Sequence, residues 1–372
     1  MSTPDEPTPT GGLRPGSKIA GYVIERELGR GGAGVVFLAR DEFEAHETRV
    51  CIAQGVTLDD ASRPRTYTDQ QYLKSPAEMA ELFADLILGN PQFRPEIAGM
   101  RPPHGIWAHI CGIDLVRTGP DQFFVLEDNA RTPSGVSYML ENREAMVRLC
   151  PELFREYRVE PVDSYPDRLL QTMKSVAPPG RGSQPVCVVL TPGHYNSAYY
   201  EHSFLADSMG IELVEAADLV VDDDRVWMRT IAGRVQVDVI YRRIDDDFLD
   251  PLVFRPDSML GVPGLIAAYA AGNVAIINAP GNGIADDKAI YSYMPEIVRF
   301  YSGGEAKLPN VETWRCREPE ALSYVLDHLD EVVVKLVDGS GGYGMLVGPT
   351  ASKAEIEAFR AALVAEPHRY IA

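Results

Sequence analysis

The sequence is poor in cysteine, and the few cysteines form no recognisable pattern. There are five, at positions 51, 111, 150, 187 and 316, and no two of them form a C-x-x-C pair. An odd number without paired spacing argues against a disulfide framework and against a zinc site. We therefore expect all five to be small buried hydrophobic side chains.

The sequence also lacks a basic excess and any long apolar run. Its 54 acidic residues outnumber 35 basic ones, and the resulting net charge of -19 repels nucleic acid and anionic lipid. No apolar run approaches the roughly 20 residues that cross a bilayer. The opening MSTPDEPTPTGG has neither the basic nor the apolar part of a secretory signal. We expect no nucleic-acid or membrane partner, and a cytoplasmic location.

The composition is that of a globular protein, because 45% of the residues are hydrophobic. The length of 372 residues is enough for two or three domains. From 185 onward, strand-like and helix-like segments alternate, which predicts an open α/β sheet. The predicted divisions are a flexible leader (1–20), glycine-containing strands (21–58), a linker (59–81), a hairpin followed by a helix (82–176), the α/β sheet (185–302), and a hairpin plus helix (303–372).

The late stretch VVKLVDGSGGYGM, residues 333–345, places Lys335 on a predicted strand just before a glycine-rich loop. Glycines let backbone N–H groups approach phosphate oxygens, and a lysine adds a positive charge at the same place. The loop is equally well explained as an ordinary hairpin turn between two strands.

A second candidate site combines Asp114 with Glu127 and Asn129. Two predicted strands, around 106–116 and 123–127, are joined by the turn residues TGPD. Side chains alternate along a strand, so Glu127 and Asn129 share one face, and pairing brings Asp114 near them. Oxygen ligands of this kind suit Mg²⁺. A solvated acidic turn is the alternative.

Five long motifs together resemble the circularly permuted ATP-grasp type 2 family over residues 82–372. They are FVLEDNARTPSGVSYMLENRE, LTPGHYNSAYYEHSFLA, YRRIDDDFLDPLVFRPDS, NAPGNGIADDK and VVKLVDGSGGYGM. The resemblance implies a circularly permuted ATP-grasp α/β fold, in which the metal-binding strands precede the glycine loop. It also implies a Rossmann-like open α/β sheet domain, and a fold left incomplete at the C-terminus.

The resemblance further assigns ATP and Mg²⁺ as cofactors. By this correspondence, Asp114, Glu127 and Asn129 bind the metal. Arg131 steadies an acyl phosphate or a substrate carboxylate, and Lys335 acts in phosphoryl transfer. The residues assigned to the nucleotide phosphates are Lys288, Lys335, Gly339, Ser340, Gly341, Gly342 and Gly344.

Substrate contacts are expected from motifs that resemble substrate-facing loops of this family. The candidates are Ser134, Gly135, Asn196, Glu201, His202 and Arg243. A surface or packing role is the alternative for His202. Arg242, Arg243 and the acidic run 245–247 could equally form a solvated ion-pair cluster.

An early stretch, IERELGRGGAGVVFLARDE, resembles the glycine-rich loop of a serine/threonine protein kinase. Gly29, Gly31, Gly34 and Val36 match G-x-G-x-x-G-x-V. No lysine stands where V-A-I-K requires one, and the sequence contains neither H-R-D nor D-F-G. We therefore do not expect kinase activity.

The resemblance to ATP-grasp proteins implies a ligase that joins a carboxylate to an amine through an acyl phosphate. Its expected substrate is an amino acid or a peptide. The alternative is a catalytically inactive remnant that serves as a binding or scaffold protein, or as a nucleotide sensor without chemistry.

Overall fold

The computed structural model describes residues 84–180, 184–339 and 344–372, and earlier in the chain only the backbone of four strands. The chain divides into two units, Met1–Asn90 with Tyr293–Lys307, and Pro91–Ser292 with Leu308–Ala372. None of the described helices is long and apolar enough to cross a membrane.

The strands are β1 (Lys18–Ile19), β2 (Tyr22–Gly31), β3 (Gly34–Asp41), β4 (Glu47–Ala53), β5 (Gly112–Gly119), β6 (Gln122–Asn129), β7 (Cys187–Leu190), β8 (Glu212–Val214), β9 (Leu219–Asp222), β10 (Arg225–Thr230), β11 (Gly233–Gln236), β12 (Val239–Arg242), β13 (Ala275–Ile277), β14 (Val333–Leu336), β15 (Met345–Val347) and β16 (Tyr370–Ile371).

The α-helices are α1 (Val136–Leu149), α2 (Pro151–Glu156), α3 (Tyr165–Ser175), α4 (Tyr199–Met209), α5 (Asp246–Leu249), α6 (Leu265–Ala270), α7 (Lys288–Tyr291), α8 (Met294–Ser302), α9 (Pro319–Asp327) and α10 (Lys353–Ala365). Short 3₁₀ turns cover Pro95–Ile97, Pro103–Gly105, Ala216–Asp218, Asn282–Asp286, Gly348–Thr350 and Pro367–Arg369, and a π-helical turn covers Ala84–Leu88.

In the first unit, β1 to β4 form an antiparallel sheet in chain order. The three strands predicted around the early glycines are therefore present as β2, β3 and β4. Lys18 and Ile19, at the end of the predicted leader (1–20), form β1. The rest of the leader, the predicted linker, the turn residues between β2 and β3, and the side chains of these strands lie outside the described residues.

The second unit is built around a parallel sheet with strand order β13-β12-β7-β8. Its strands are almost entirely buried, as expected for a parallel sheet covered on both faces. Val188 and Ile240 face the core that contains α6, whereas Val189 and Tyr241 face the core that contains α3 and α4. The predicted open α/β sheet is confirmed.

The second unit also contains three antiparallel sheets: the β5–β6 hairpin, a sheet ordered β11-β10-β9, and one ordered β15-β14-β16. In the last of these sheets, Val334 and Leu346 pack against Val325 of α9 and Leu363 of α10. This sheet matters for function because β14 carries Lys335, whose backbone pairs with Met345 on one side and Ile371 on the other.

Two segments with helix-like apolar spacing each form two helices in the structure. The segment 137–154 forms α1 and α2, which are separated at Cys150, and the segment 286–301 forms α7 and α8. Pro151 and Pro295 lie in the first turn of α2 and α8. Proline has no backbone N–H to continue a preceding helix but is favoured at the start of a new one. Apolar periodicity alone did not reveal these boundaries.

The expectation for the cysteines is only partly right. Cys187 and Cys316 are buried, whereas Cys150 is half-buried and Cys111 is exposed. The side chain of Cys51 lies outside the described residues. Burial raises the pKa of Cys187 to about 11 and of Cys316 to about 12, so both are unreactive thiols at neutral pH.

Candidate functional site

The strand register of the β5–β6 hairpin brings the predicted metal ligands to one face. Asp114 pairs with Glu127, and Gly112 pairs with Asn129. Directly paired residues, and residues two apart on a strand, project from the same side of a sheet. Asp114, Glu127 and Asn129 therefore share a face, as the sequence predicted. The first strand covers 112–119, where 106–116 was predicted, and the second covers 122–129, where 123–127 was predicted.

Two lysines from different elements converge on this acidic face. Lys288 Nζ lies 3.5 Å and Lys335 Nζ lies 3.8 Å from the same Glu127 oxygen, Oε2. Lys288 Nζ also donates a hydrogen bond to the carbonyl of Gly339 at 2.7 Å. The acidic hairpin, the start of α7 and the beginning of the glycine loop thus meet at one point.

Local structure fixes the position of Lys288. It is the first residue of α7, and the Asp287 carboxylate caps that helix by accepting hydrogen bonds from the N–H groups of Ala289 and Ile290. The N–H of Lys288 donates to the carbonyl of Val337 at 2.9 Å, which ties α7 to the end of β14. This hydrogen bond therefore connects the helix that carries Lys288 to the strand that carries Lys335.

The glycine loop is only partly described, because residues 340–343, including Ser340, Gly341 and Gly342, lie outside the described residues. At its far end, Gly344 has a φ of +66°, and a Cβ there would lie 2.3 Å from Leu336 Cδ1. The left-handed backbone favours glycine at this position, and any larger residue would also require the Leu336 side chain to move.

The electrostatics of this face fit a cation. Burial raises the pKa of Asp114, and the neighbouring Glu127 raises it further, while Lys335 and Lys288 lower it. The described residues contain no group of three or more His, Cys, Asp or Glu side chains arranged for a metal. The set formed by Asp114, Glu127 and Asn129 instead combines two carboxylates with one amide. These hard oxygen donors fit Mg²⁺, which also binds phosphate oxygens.

Arg131 lies just beyond β6, the strand that carries Glu127 and Asn129, and several polar groups hold its side chain. Its Nε is 3.3 Å from Asp245 and 3.4 Å from Asp286, and its Nη1 donates to Gln92 at 2.9 Å. Asp286 also accepts hydrogen bonds from the N–H groups of Ala130 and Arg131. Among the described residues Arg131 Nη2 has no partner, so this part of the guanidinium can receive an anionic ligand.

Three of the predicted substrate residues form a single buried network. One Glu201 oxygen accepts hydrogen bonds from Gly135 N at 2.7 Å, and from Ser137 N and Oγ at 3.0 Å. Its other oxygen lies 3.2 Å from Arg243 Nη2, and both charged side chains are only 1% exposed. Arg243 also donates to the carbonyl of Pro133. Glu201 and Arg243 therefore hold the 133–137 segment in place.

The other three predicted substrate residues, Ser134, Asn196 and His202, do not belong to this network. Ser134 and Asn196 are exposed, and Asn196 accepts a hydrogen bond from Ala198 N at 2.9 Å. His202 is buried, with Nδ1 2.8 Å from the Thr191 hydroxyl. The alternative of a surface position for His202 is wrong, and the packing alternative describes it well.

The buried state of His202 predicts a specific dependence of stability on pH. Burial, and then the charge of Arg243, lowers the pKa of His202 to about 3. Below about pH 6.5 the unfolded chain takes up a proton that the folded chain cannot accept, so stability falls as pH falls, by up to about 1.4 kcal/mol per pH unit. His202→Gln should flatten this slope.

Denaturant unfolding between about pH 7 and pH 5 measures the effect. The matched control is His368→Gln, which changes an exposed histidine and should leave the slope as in the wild type. Equal slopes in the wild type and in His202→Gln would contradict the prediction.

The alternative of a solvated ion-pair cluster at 242–247 is wrong for its central residues. Arg242 and Asp246 are fully buried and 2.7 Å apart, and Arg242 also donates to the carbonyl of Asn278 at 2.7 Å and to Asn282 Oδ1 at 2.9 Å. The outer acids, Asp245 and Asp247, are about half exposed. The segment 242–247 therefore contains a buried ion pair between Arg242 and Asp246, and two half-exposed carboxylates on either side of Asp246.

Asn278, in the NAPGN motif after β13, is a structural residue that the sequence analysis did not single out. It is fully buried; its Oδ1 accepts from the N–H groups of His109 and Ile110, and its Nδ2 donates to the carbonyls of Ile110 and Ala130. It thereby joins both ends of the β5–β6 hairpin to the parallel sheet. A polar residue directly after a buried strand was the available signal.

Replacing Asn278 with alanine should lower the free energy of unfolding by about 2–3 kcal/mol, because buried backbone groups lose their partners. Asn273→Ala is the matched control, since the side chain of the half-buried Asn273 donates one hydrogen bond, to Asp224 O at 2.8 Å. Denaturant unfolding of both variants measures the difference. A loss in Asn278→Ala no larger than in Asn273→Ala would show that Asn278 does not secure the hairpin.

Comparisons with known proteins identify a family and several relatives. The family model described as circularly permuted ATP-grasp type 2 matches residues 39–372. An uncharacterized protein of Synechocystis is 54% identical over 288 residues, covering 77% of this chain and 60% of that protein. One from Mycobacterium tuberculosis H37Rv is 48% identical over 306 residues, covering 82% of this chain and 55% of that protein.

A Frankia alni protein named "Putative glutamate--cysteine ligase 2-3" is 43% identical over 261 residues, covering 70% of this chain and 30% of that protein. The chain thus spans less than two thirds of the length of each of these relatives.

Proposed function

Because the chain belongs to the circularly permuted ATP-grasp type 2 family, we propose that it is an ATP-dependent ligase that joins a carboxylate to an amine. The proposed substrate is an amino acid or a peptide, and the proposed intermediate is an acyl phosphate. The name of the Frankia relative, a glutamate–cysteine ligase, supports this reaction class.

One observation carries the proposal: Lys288 and Lys335 converge on Glu127, opposite Asp114. Two ammonium groups beside two carboxylates can hold a phosphate chain and its metal together, the lysines on phosphate oxygens and the acids on the cation. When bound, Mg²⁺ would neutralise phosphate charge as the phosphoryl group is transferred.

The residues of the chain then take distinct roles. Lys335 and Lys288 position the phosphates and stabilise the charge that develops during transfer. Arg131 orients the carboxylate or its acyl phosphate through its available nitrogen. Glu201 and Arg243 hold the adjoining 133–137 segment, so that Ser134 and Gly135 meet the substrate in a fixed position.

Trapping the intermediate with hydroxylamine tests the reaction class. The protein is mixed with ATP, Mg²⁺, a panel of amino acids and short peptides, and hydroxylamine, which attacks an acyl phosphate and releases phosphate and a hydroxamate. We expect hydroxamate and ADP in equal amounts with at least one acid, and neither without an acid. ATP binding with no hydroxamate for any acid in the panel would favour a nucleotide-binding protein without ligase chemistry.

A further inference from the structure

A cleft of about 640 Å³ lies between α1 and α4, and the chain segment 159–167 forms its third wall. None of the candidate metal, phosphate or substrate residues lines it. The volume is within the range of about 300–1,000 Å³ that is typical of sites for small organic molecules. The cleft is therefore a separate candidate binding site.

Much of the lining of the cleft is apolar and aromatic. Leu140, Val147 and Val162 contribute aliphatic surface, and Phe154 and Phe204 contribute aromatic rings. The aromatic surface continues beyond the cleft along α4 and α1: the Phe204 ring lies 5.9 Å from that of Tyr200, and Tyr200 lies 5.7 Å from Tyr138. Such a surface accepts a flat or apolar body.

The rim of the cleft is acidic. Four carboxylates line it, from Glu141, Glu144, Asp163 and Asp167, against a single basic residue, Arg143. The Arg143 guanidinium donates to the carbonyl of Glu160 at 2.6 Å and lies 5.8 Å from the Phe154 ring centre.

One of these carboxylates, that of Glu144, already forms a salt bridge with Arg148. For the other three, Glu141, Asp163 and Asp167, the described residues provide no salt-bridge partner. A cation that enters the cleft would thus meet three available carboxylates beside aromatic faces.

We propose that this cleft binds an organic cation, a protonated amine carried on an apolar and preferably aromatic body. The apolar interior would bury the body, the carboxylates of Glu141 and Asp163 would attract the ammonium group, and the aromatic rings would add cation–π attraction. An anion with the same body would be repelled by the rim. This inference does not depend on the proposed ligase activity, because the two sites share no residue.

Calorimetric titration with tryptamine and with indole-3-propionate tests the proposal, since the two probes share an indole body and carry opposite charges. We expect saturable binding of tryptamine and at least tenfold weaker binding of indole-3-propionate. The double variant Glu141→Gln, Asp163→Asn should weaken tryptamine binding at least tenfold. The control Glu156→Gln removes an exposed acid of neighbouring α2 that does not line the cleft, and should leave binding unchanged.

Equal binding of the two probes, an unchanged affinity in the double variant, or no tryptamine binding to the wild type would each overturn the proposal. Binding of a basic peptide without binding of tryptamine would also overturn it, in favour of a protein-docking surface. All exchanged residues are exposed, so circular dichroism and thermal unfolding should show the same fold in every variant.

Discussion

Replacing Lys335 with glutamine is expected to lower the rate of acid-dependent ADP formation by about 100-fold or more. Glutamine preserves much of the side-chain length and its hydrogen bonding but removes the positive charge. Lys335 Nζ lies 3.8 Å from Glu127 Oε2, where the phosphates and their cation would meet. The loss therefore falls on stabilisation of the transferring phosphoryl group.

The stability of this variant should change by less than about 1 kcal/mol, because the ion pair of Lys335 is partly exposed. Lys353→Gln, an exposed lysine at the start of α10, is the matched control and should retain the wild-type rate. The measurement compares initial rates of acid-dependent ADP formation at saturating ATP for the wild type, Lys335→Gln and Lys353→Gln. A Lys335→Gln rate within a few-fold of the control would remove Lys335 from the catalytic site.

Replacing Arg242 with methionine should lower the free energy of unfolding by about 3–5 kcal/mol. Arg242 is fully buried, and its guanidinium forms an ion pair with Asp246 and donates hydrogen bonds to Asn282 and to three backbone carbonyls. Methionine fills much of the same volume but leaves the Asp246 carboxylate buried without its cation. The hydrogen bonds that Arg242, at the end of β12, donates to the NAPGN segment would also be lost.

Arg234→Met is the matched control, because Arg234 makes an exposed salt bridge with Asp222 at 2.9 Å. Exposed pairs contribute about 1 kcal/mol or less. Denaturant unfolding of the two variants should thus separate them by about 2 kcal/mol or more. A loss of less than about 1 kcal/mol in Arg242→Met would mean that the buried pair is not what stabilises this region.

The elements of the fold that follow from local patterns could be predicted from the sequence. Alternation along β5 and β6, together with the turn residues between them, was enough to bring Asp114 near Glu127 and Asn129; the structure adds that Asp114 pairs directly with Glu127. Short apolar runs alternating with helical segments were enough to predict the parallel sheet. Local patterns did not reveal where proline divides a helix, as at Pro151 and Pro295.

Contacts between distant parts of the chain were harder to predict. Nothing in the spacing of Lys288 and Lys335 places both on Glu127; only the family resemblance indicated that they belong to one site. Arg242 looked like part of a solvated charge run because its partners at 278–282 cannot be inferred from neighbouring residues. Asn278 was missed for the same reason.

The most direct test of the central claim is a calorimetric titration of ATP with and without Mg²⁺, on the wild type and on Glu127→Gln. If the carboxylates hold the metal and the lysines hold the phosphates, Mg²⁺ should tighten ATP binding by at least about tenfold in the wild type, or about 1.4 kcal/mol. Most of that gain should disappear in Glu127→Gln. ATP affinity that is independent of Mg²⁺, or a Mg²⁺ effect that is unchanged in Glu127→Gln, would contradict the assignment of this face as the metal–nucleotide site.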